Sequence, residues 1–113
     1  MKKLIHINDL FYKRLQTFLE ANLANSDLHA EMVAMELEIS KSTLNRKLKE
    51  LGKPPINDLI KECRLQHSVK VLSAGYTVQE TSKRVGFKTP SYFTQCFKMH
   101  YHTTPAWFAK QNG

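Results

Sequence analysis

The chain has 113 residues, 42% of them hydrophobic, and its 17 Lys and Arg against 10 Asp and Glu leave a net charge of +7. That length supports one compact domain or two very small ones sharing an element, and the apolar content excludes a disordered chain. No apolar run approaches the roughly 20 residues that a membrane span needs, and residues 1–6 are too short and polar for a signal peptide, so a cytoplasmic protein is expected, to which a bacterial cytosol would be suited.

The charge is unevenly spread. Residues 1–39 hold four Lys and Arg against six Asp and Glu, a balance of −2, whereas residues 40–113 hold thirteen against four, a balance of +9. A soluble basic domain could show the same total. The asymmetry is what a phosphate-binding surface requires, because Lys and Arg gain affinity by releasing condensed counterions.

Apolar residues recur at spacings of three and four, which predicts helices throughout. A first helix is expected to start after Asn8 or Asp9, to bury Phe11, Leu15, Phe18, Leu19 and Leu23, and to break at Asn25-Ser26-Asp27. A second, over residues 30–38, turns Val33, Ala34 and Leu37 inward. Ser40 caps a third that runs to Leu51, with Leu44, Leu48 and Leu51 inward and Gly52 as a left-handed stop. Pro54-Pro55 opens a fourth over residues 55–74, burying Leu59, Ile60, Cys63, Leu65, Val69 and Leu72. Thr77-Val78-Gln79-Glu80 is a capping box for a short fifth helix that ends at Gly86. Thr89-Pro90 opens a sixth running to Tyr101, and Thr104-Pro105 opens a last one carrying Trp107 and Phe108.

The predicted fold is therefore all-α: a seven-helix domain with two helix-turn-helix units joined by a long central helix. Its expected division is an N-terminal amphipathic helix over residues 1–24 packing on the first unit, the first unit over 25–54, the linker helix over 55–75, and the second unit with a C-terminal helix over 76–113.

One pattern occurs twice. Ile39-Ser40-Lys41-Ser42-Thr43-Leu44-Asn45-Arg46-Lys47-Leu48-Lys49 and Phe87-Lys88-Thr89-Pro90-Ser91-Tyr92-Phe93-Thr94-Gln95-Cys96-Phe97-Lys98 each place an apolar residue before a Ser or Thr cap, then two apolar anchors four apart, then a Lys. Leu44 to Phe93 and Leu48 to Phe97 are both offsets of 49 residues. A duplicated polar-faced helix on a basic chain fits two DNA-reading units. The central helix, about 20 residues and so about 30 Å long, would hold them one turn of duplex apart.

On the third helix Ser42, Asn45 and Arg46 fall opposite the buried stripe, where Arg46 can pair bidentately with guanine and Asn45 with adenine. Ser40, Lys41, Thr43 and Lys49 are placed for phosphates. On the sixth helix Ser91, Tyr92 and Gln95 are the base-reading candidates, with Lys88, Thr89, Thr94 and Lys98 on phosphates. The competing account is that both faces are merely solvated; the matched pair argues against it.

These residues resemble the DNA-binding domain of AraC-family bacterial transcription regulators. The likeness covers residues 28–108 and rests on Val85-Gly86-Phe87, Ser91-Tyr92-Phe93, Phe97-Lys98 and Thr104-Pro105, supported by Arg64-Leu65, Leu72 and Ile39-Ser40-Lys41-Ser42 before Leu44. The resemblance implies a transcription regulator whose third and sixth helices enter adjacent major grooves of double-stranded DNA, read by the same six base-facing positions. Ser68, Thr81, Ser82 and His102 stand where that family usually has Ala, Ile, Ala and Gly. The first three predict looser packing on the central helix, and His102 a strained or rearranged helix end.

Such domains commonly follow a ligand-binding, dimerisation or receiver module, so the chain is either a stand-alone regulator or, favoured on length, a fragment of a larger one that is monomeric by itself. An enzyme is disfavoured, because neither Cys63 nor Cys96 has an evident base beside it. Cys96, His100 and His102 lack a fourth metal ligand, the two cysteines have no CxxC spacing, and no cofactor is expected. A protein-interaction module is the third class, with Trp107, Phe108, Phe11 and Tyr12 as a docking surface for RNA polymerase or a fused sensor or receiver domain.

Overall fold

A computed structural model describes the backbone of residues 2–112 and the side chains of residues 9–111. Among the described residues the chain is wholly helical, as α1 (Lys2–Asn22), α2 (Ala30–Glu36), α3 (Lys41–Glu50), α4 (Ile56–Ser73), α5 (Val78–Val85), α6 (Pro90–Tyr101) and α7 (Pro105–Asn112). None of these helices is long and apolar enough to cross a membrane. The seven elements match the expected order. The main departure is α1, which continues back to Lys2 instead of starting after Asn8 or Asp9. Asn and Asp as residue types carry only a small propensity cost inside a helix, so a cap-like residue does not by itself start one.

The chain forms two compact units: Met1–Asn22 with Asp27–Ile60, and Leu23–Ser26 with Lys61–Gly113. In the first, Leu15 and Leu19 of α1, Val33, Ala34 and Leu37 around α2, Leu44 and Leu48 of α3, and Ile56, Leu59 and Ile60 of α4 are buried. Phe11 and Phe18 are only half-buried, as is Leu51 at the end of the α3 stripe. The ammonium of Lys47 lies 5.2 Å from the Phe11 ring centroid and that of Lys53 lies 5.0 Å from that of Tyr12, so cations cover these rings.

The second unit is built on Leu65, Leu72, Val85, Phe87, Phe93, Cys96 and Phe97, with Val69, Tyr101 and Phe108 packed against them. Phe97 is the hub of the aromatic packing, with ring centroids 5.8 Å from Phe93, 4.7 Å from Tyr101 and 6.0 Å from Phe108. Cys96 is buried there as a small apolar group, and Cys63 is half-buried; the two do not form a disulfide. Ser68, Thr81 and Ser82 are buried in this unit. The Ser68 hydroxyl donates to the Leu65 carbonyl, whereas those of Thr81 and Ser82 have no hydrogen-bond partner. An unmade buried hydrogen bond costs about 1–3 kcal/mol, so Thr81 and Ser82 each carry a desolvation cost here that Ser68 does not.

Helix ends carry the chemistry their residues dictate. Thr77 and Glu80 form a reciprocal capping box at α5, at 3.1 and 2.9 Å. The Thr77 backbone N–H, with the Thr77 hydroxyl second, holds the Glu80 carboxyl below the usual range. Gly52 (φ +72°) closes α3 with Gly52 N donating to Lys49 O and Lys53 N to Leu48 O. The same pair of bonds ends α2, where Glu38 takes the left-handed place at φ +56°. His102 does so after α6 at φ +61°, so this helix end keeps the left-handed geometry of a glycine and is strained, not rearranged.

Candidate nucleic-acid interface

In the first unit, α2 and α3 form a helix-turn-helix whose second helix starts at a cap. Ser40 Oγ accepts from the Thr43 N–H at 3.1 Å and donates to Thr43 Oγ1 at 2.9 Å. With Leu44 and Leu48 buried, Ser42, Arg46 and Lys49 are left exposed and Thr43 half-buried. Lys41 is exposed but engaged, its Nζ donating to Glu31 Oε1 at 3.1 Å. That hydrogen bond is the main reason the Glu31 carboxyl sits below the usual range. Glu31 was not legible as part of this surface, because it lies ten residues before Lys41 on the preceding helix.

Asn45 is placed differently from Ser42 and Arg46. It is half-buried, and its Oδ1 accepts the Ile56 backbone N–H at 2.9 Å. A bidentate adenine contact needs both ends of the carboxamide, and here this bond takes one of the two acceptor sites of Oδ1.

The second unit repeats the arrangement on α5 and α6. Thr89 Oγ1 accepts the Tyr92 N–H at 3.1 Å and Pro90 occupies the first helical position, where its missing N–H costs nothing. Phe93, Cys96 and Phe97 are buried, which leaves Ser91, Tyr92, Gln95 and Lys98 exposed on α6. Lys88 and Thr89 are exposed on the approach to the helix, and Thr94 is half-buried. The Tyr92 ring is 50% exposed, and its other side meets Phe87 edge-on at 5.9 Å, which limits where the hydroxyl can point.

Arg64 was noted in the sequence only for its family likeness, yet it holds the loop that follows α1. Its Nε donates to the Leu23 carbonyl at 3.1 Å and its Nη2 to the Asn25 carbonyl at 2.7 Å. Burial lowers the pKa of the guanidinium, and Tyr92 opposes that shift. Gly86 turns at φ +98° against the same group, and a Cβ there would collide with the Leu23 carbonyl and with Arg64 Nε. No helical period could have indicated contacts 39 and 41 residues apart.

Of the four aromatic residues expected at a docking surface, Trp107 is 56% exposed, whereas Phe11, Tyr12 and Phe108 are half-buried. Cys96 is buried while His100 and His102 are exposed, and among the described residues no three His, Cys, Asp or Glu side chains converge on a common point.

Two capped helices, each behind a short helix and a tight turn and each presenting a polar face from its own core, define a double helix-turn-helix protein. The chain belongs to the AraC-type helix-turn-helix family: the family model described as a helix-turn-helix domain matches residues 33–111. It is a helix-turn-helix DNA-binding domain of the transcription-regulator type. It is 31% identical over 101 residues to histidine kinase P4 of Formosa agariphila, covering 88% of this chain and 7% of that protein. It is also 31% identical over 106 residues to an uncharacterised helix-turn-helix-type transcriptional regulator in the cgkA 5′ region of Pseudoalteromonas carrageenovora, covering 94% of this chain and 63% of that one. The chain thus spans less than two thirds of either relative. Among solved structures, the DNA-binding domain of the global transcriptional factor AdpA, determined in complex with a target DNA, superposes with a TM-score of 0.79 at 22% identity, over 89% of this chain and 90% of that one.

Proposed function

We propose that this domain reads an asymmetric duplex site by placing α3 and α6 in successive major grooves, as the output domain of a larger bacterial regulator working in the cytoplasm. The observation that carries the reading is the repeated design: in each unit a Ser or Thr cap opens a helix whose apolar anchors are buried and whose remaining face is polar and exposed. Arg46 is the strongest base reader of α3, with Ser42 beside it; Ser91, Tyr92 and Gln95 take that role on α6. Ser40, Thr43, Lys41 and Lys49 serve phosphates in the first unit, and Lys88, Thr89, Thr94 and Lys98 in the second. The AdpA domain, solved with a target DNA, supports the same use of this fold. The 56% exposed Trp107 offers a contact for RNA polymerase or for a fused sensor or receiver module.

Selection of bound sequences from random duplex DNA tests the proposal. The expected result is two short half-sites with centres about 10 base pairs apart. Enrichment of a single half-site would remove one helix from the grooves, and no enrichment would leave a non-specific binder.

A further inference from the structure

We propose that Asn45 is a positioning residue, which fixes the first reading helix to the start of α4 by capping that helix from outside it, and that it does not read base edges. The inference rests on the DNA-reading role proposed for α3. It begins from a deficiency in the sequence. Four other helices carry their own capping hydroxyl: Ser40 for α3, Thr77 for α5, Thr89 for α6 and Thr104 for α7. Helix α4 follows Pro54-Pro55, and neither proline has a side-chain acceptor or a backbone N–H.

The first donor after Lys53 is therefore the Ile56 N–H, and the helical ladder of α4 starts only with Leu59 N donating to Pro55 O at 2.9 Å. Ile56 is fully buried, so its N–H has little access to water and needs a protein acceptor. Asn45 Oδ1 supplies it at 2.9 Å from the middle of α3, eleven residues earlier. The neighbours of Asn45 divide the remaining work. Leu44 is buried in the core of the unit and Arg46 is exposed on the reading face. Asn45 lies at the edge between them, half-buried, where one hydrogen bond sets the roll of α3 about its axis relative to α4. Because that roll determines where Arg46 and Ser42 point, the bond acts on DNA recognition through other residues.

The test compares Asn45→Ala and Asn45→Asp with the unaltered chain, using amide exchange of Ile56 and selection from random duplex DNA. Asn45→Ala should accelerate Ile56 exchange roughly tenfold, and Asn45→Asp, which keeps the acceptor, should restore protection. In the selection, Asn45→Ala should weaken binding by a similar factor on every sequence while the preferred bases stay the same. Unchanged Ile56 protection in Asn45→Ala, or loss of preference at one base pair with protection retained, would overturn the proposal. If Asn45→Ala does not fold, Asn45→Asp still decides, since an Ile56 amide left unprotected there removes the cap. Should the unaltered chain select no sequence at all, the DNA reading fails, while the exchange measurement still decides the capping bond.

Discussion

Glu31 and Arg46 are two exposed residues of the first unit with opposite expected effects on DNA binding. Glu31 holds Lys41 in an ion pair on the side where phosphates are proposed to lie, so it competes with DNA for that ammonium. Glu31→Gln should strengthen non-specific binding at low salt and steepen the plot of log affinity against log salt by about one unit. Titration of binding against salt measures this, and an unchanged slope would place Lys41 outside the interface. The Glu31 carboxyl is held below its ordinary range, so its contribution is present above the unfolded-state value and lost as pH falls through the lowered one. Acidifying the unaltered protein should therefore bring its salt slope toward that of Glu31→Gln. Arg46→Ala should cost about 1–3 kcal/mol on the specific site and relax one base position, as measured by competition between site variants. A uniform loss over all sequences would make Arg46 a phosphate contact.

At the level of elements, helix ends separate what was legible from what was not. Ser40, Thr77 with Glu80, Thr89 and Thr104 were readable because a cap is a bond over three residues, short enough for sequence order to determine it. Gly52 and Gly86 were readable for a similar reason, since a left-handed residue after a helix is nearly a glycine requirement. What escaped reading depends on contacts between elements: the cap that Asn45 gives to Ile56, the Arg64 bonds to Leu23 and Asn25, and the pairing of Lys41 with Glu31. Glu38 also escaped, because its left-handed turn is imposed by the two bonds that close α2, against its own preference. His102 is the corresponding cost at the end of α6. Replacing it with glycine should stabilise the protein by about 1 kcal/mol, read as a rise in the thermal midpoint. No rise would mean that the His102 side chain offsets its backbone strain through contacts of its own.

For the whole chain, α4 carries residues of both units: Ile56, Leu59 and Ile60 belong to the first core, Leu65 and Leu72 to the second. Under the proposed reading, affinity for a two-part site depends on the stiffness of this helix, which has no Gly or Pro between Ile56 and Ser73. A flexible Gly-Ser pair inserted beside Val69 should leave only weak binding by one unit, with affinity no longer sensitive to the spacing of half-sites. Full retained affinity for the intact site would show that the helix does not set their separation.

The clamp around Gly86 has one more consequence. The second unit takes Leu23–Ser26 from far upstream, and Arg64 and Gly86 close on it. The two halves are therefore interleaved along the chain, although their internal likeness invites the image of beads on a string. A hybrid spliced at residue 60 from two related parents would inherit its loop from one and the receiving guanidinium from the other. Because the acceptors are main-chain carbonyls, such a hybrid keeps these bonds wherever the second parent supplies both the guanidinium and the glycine.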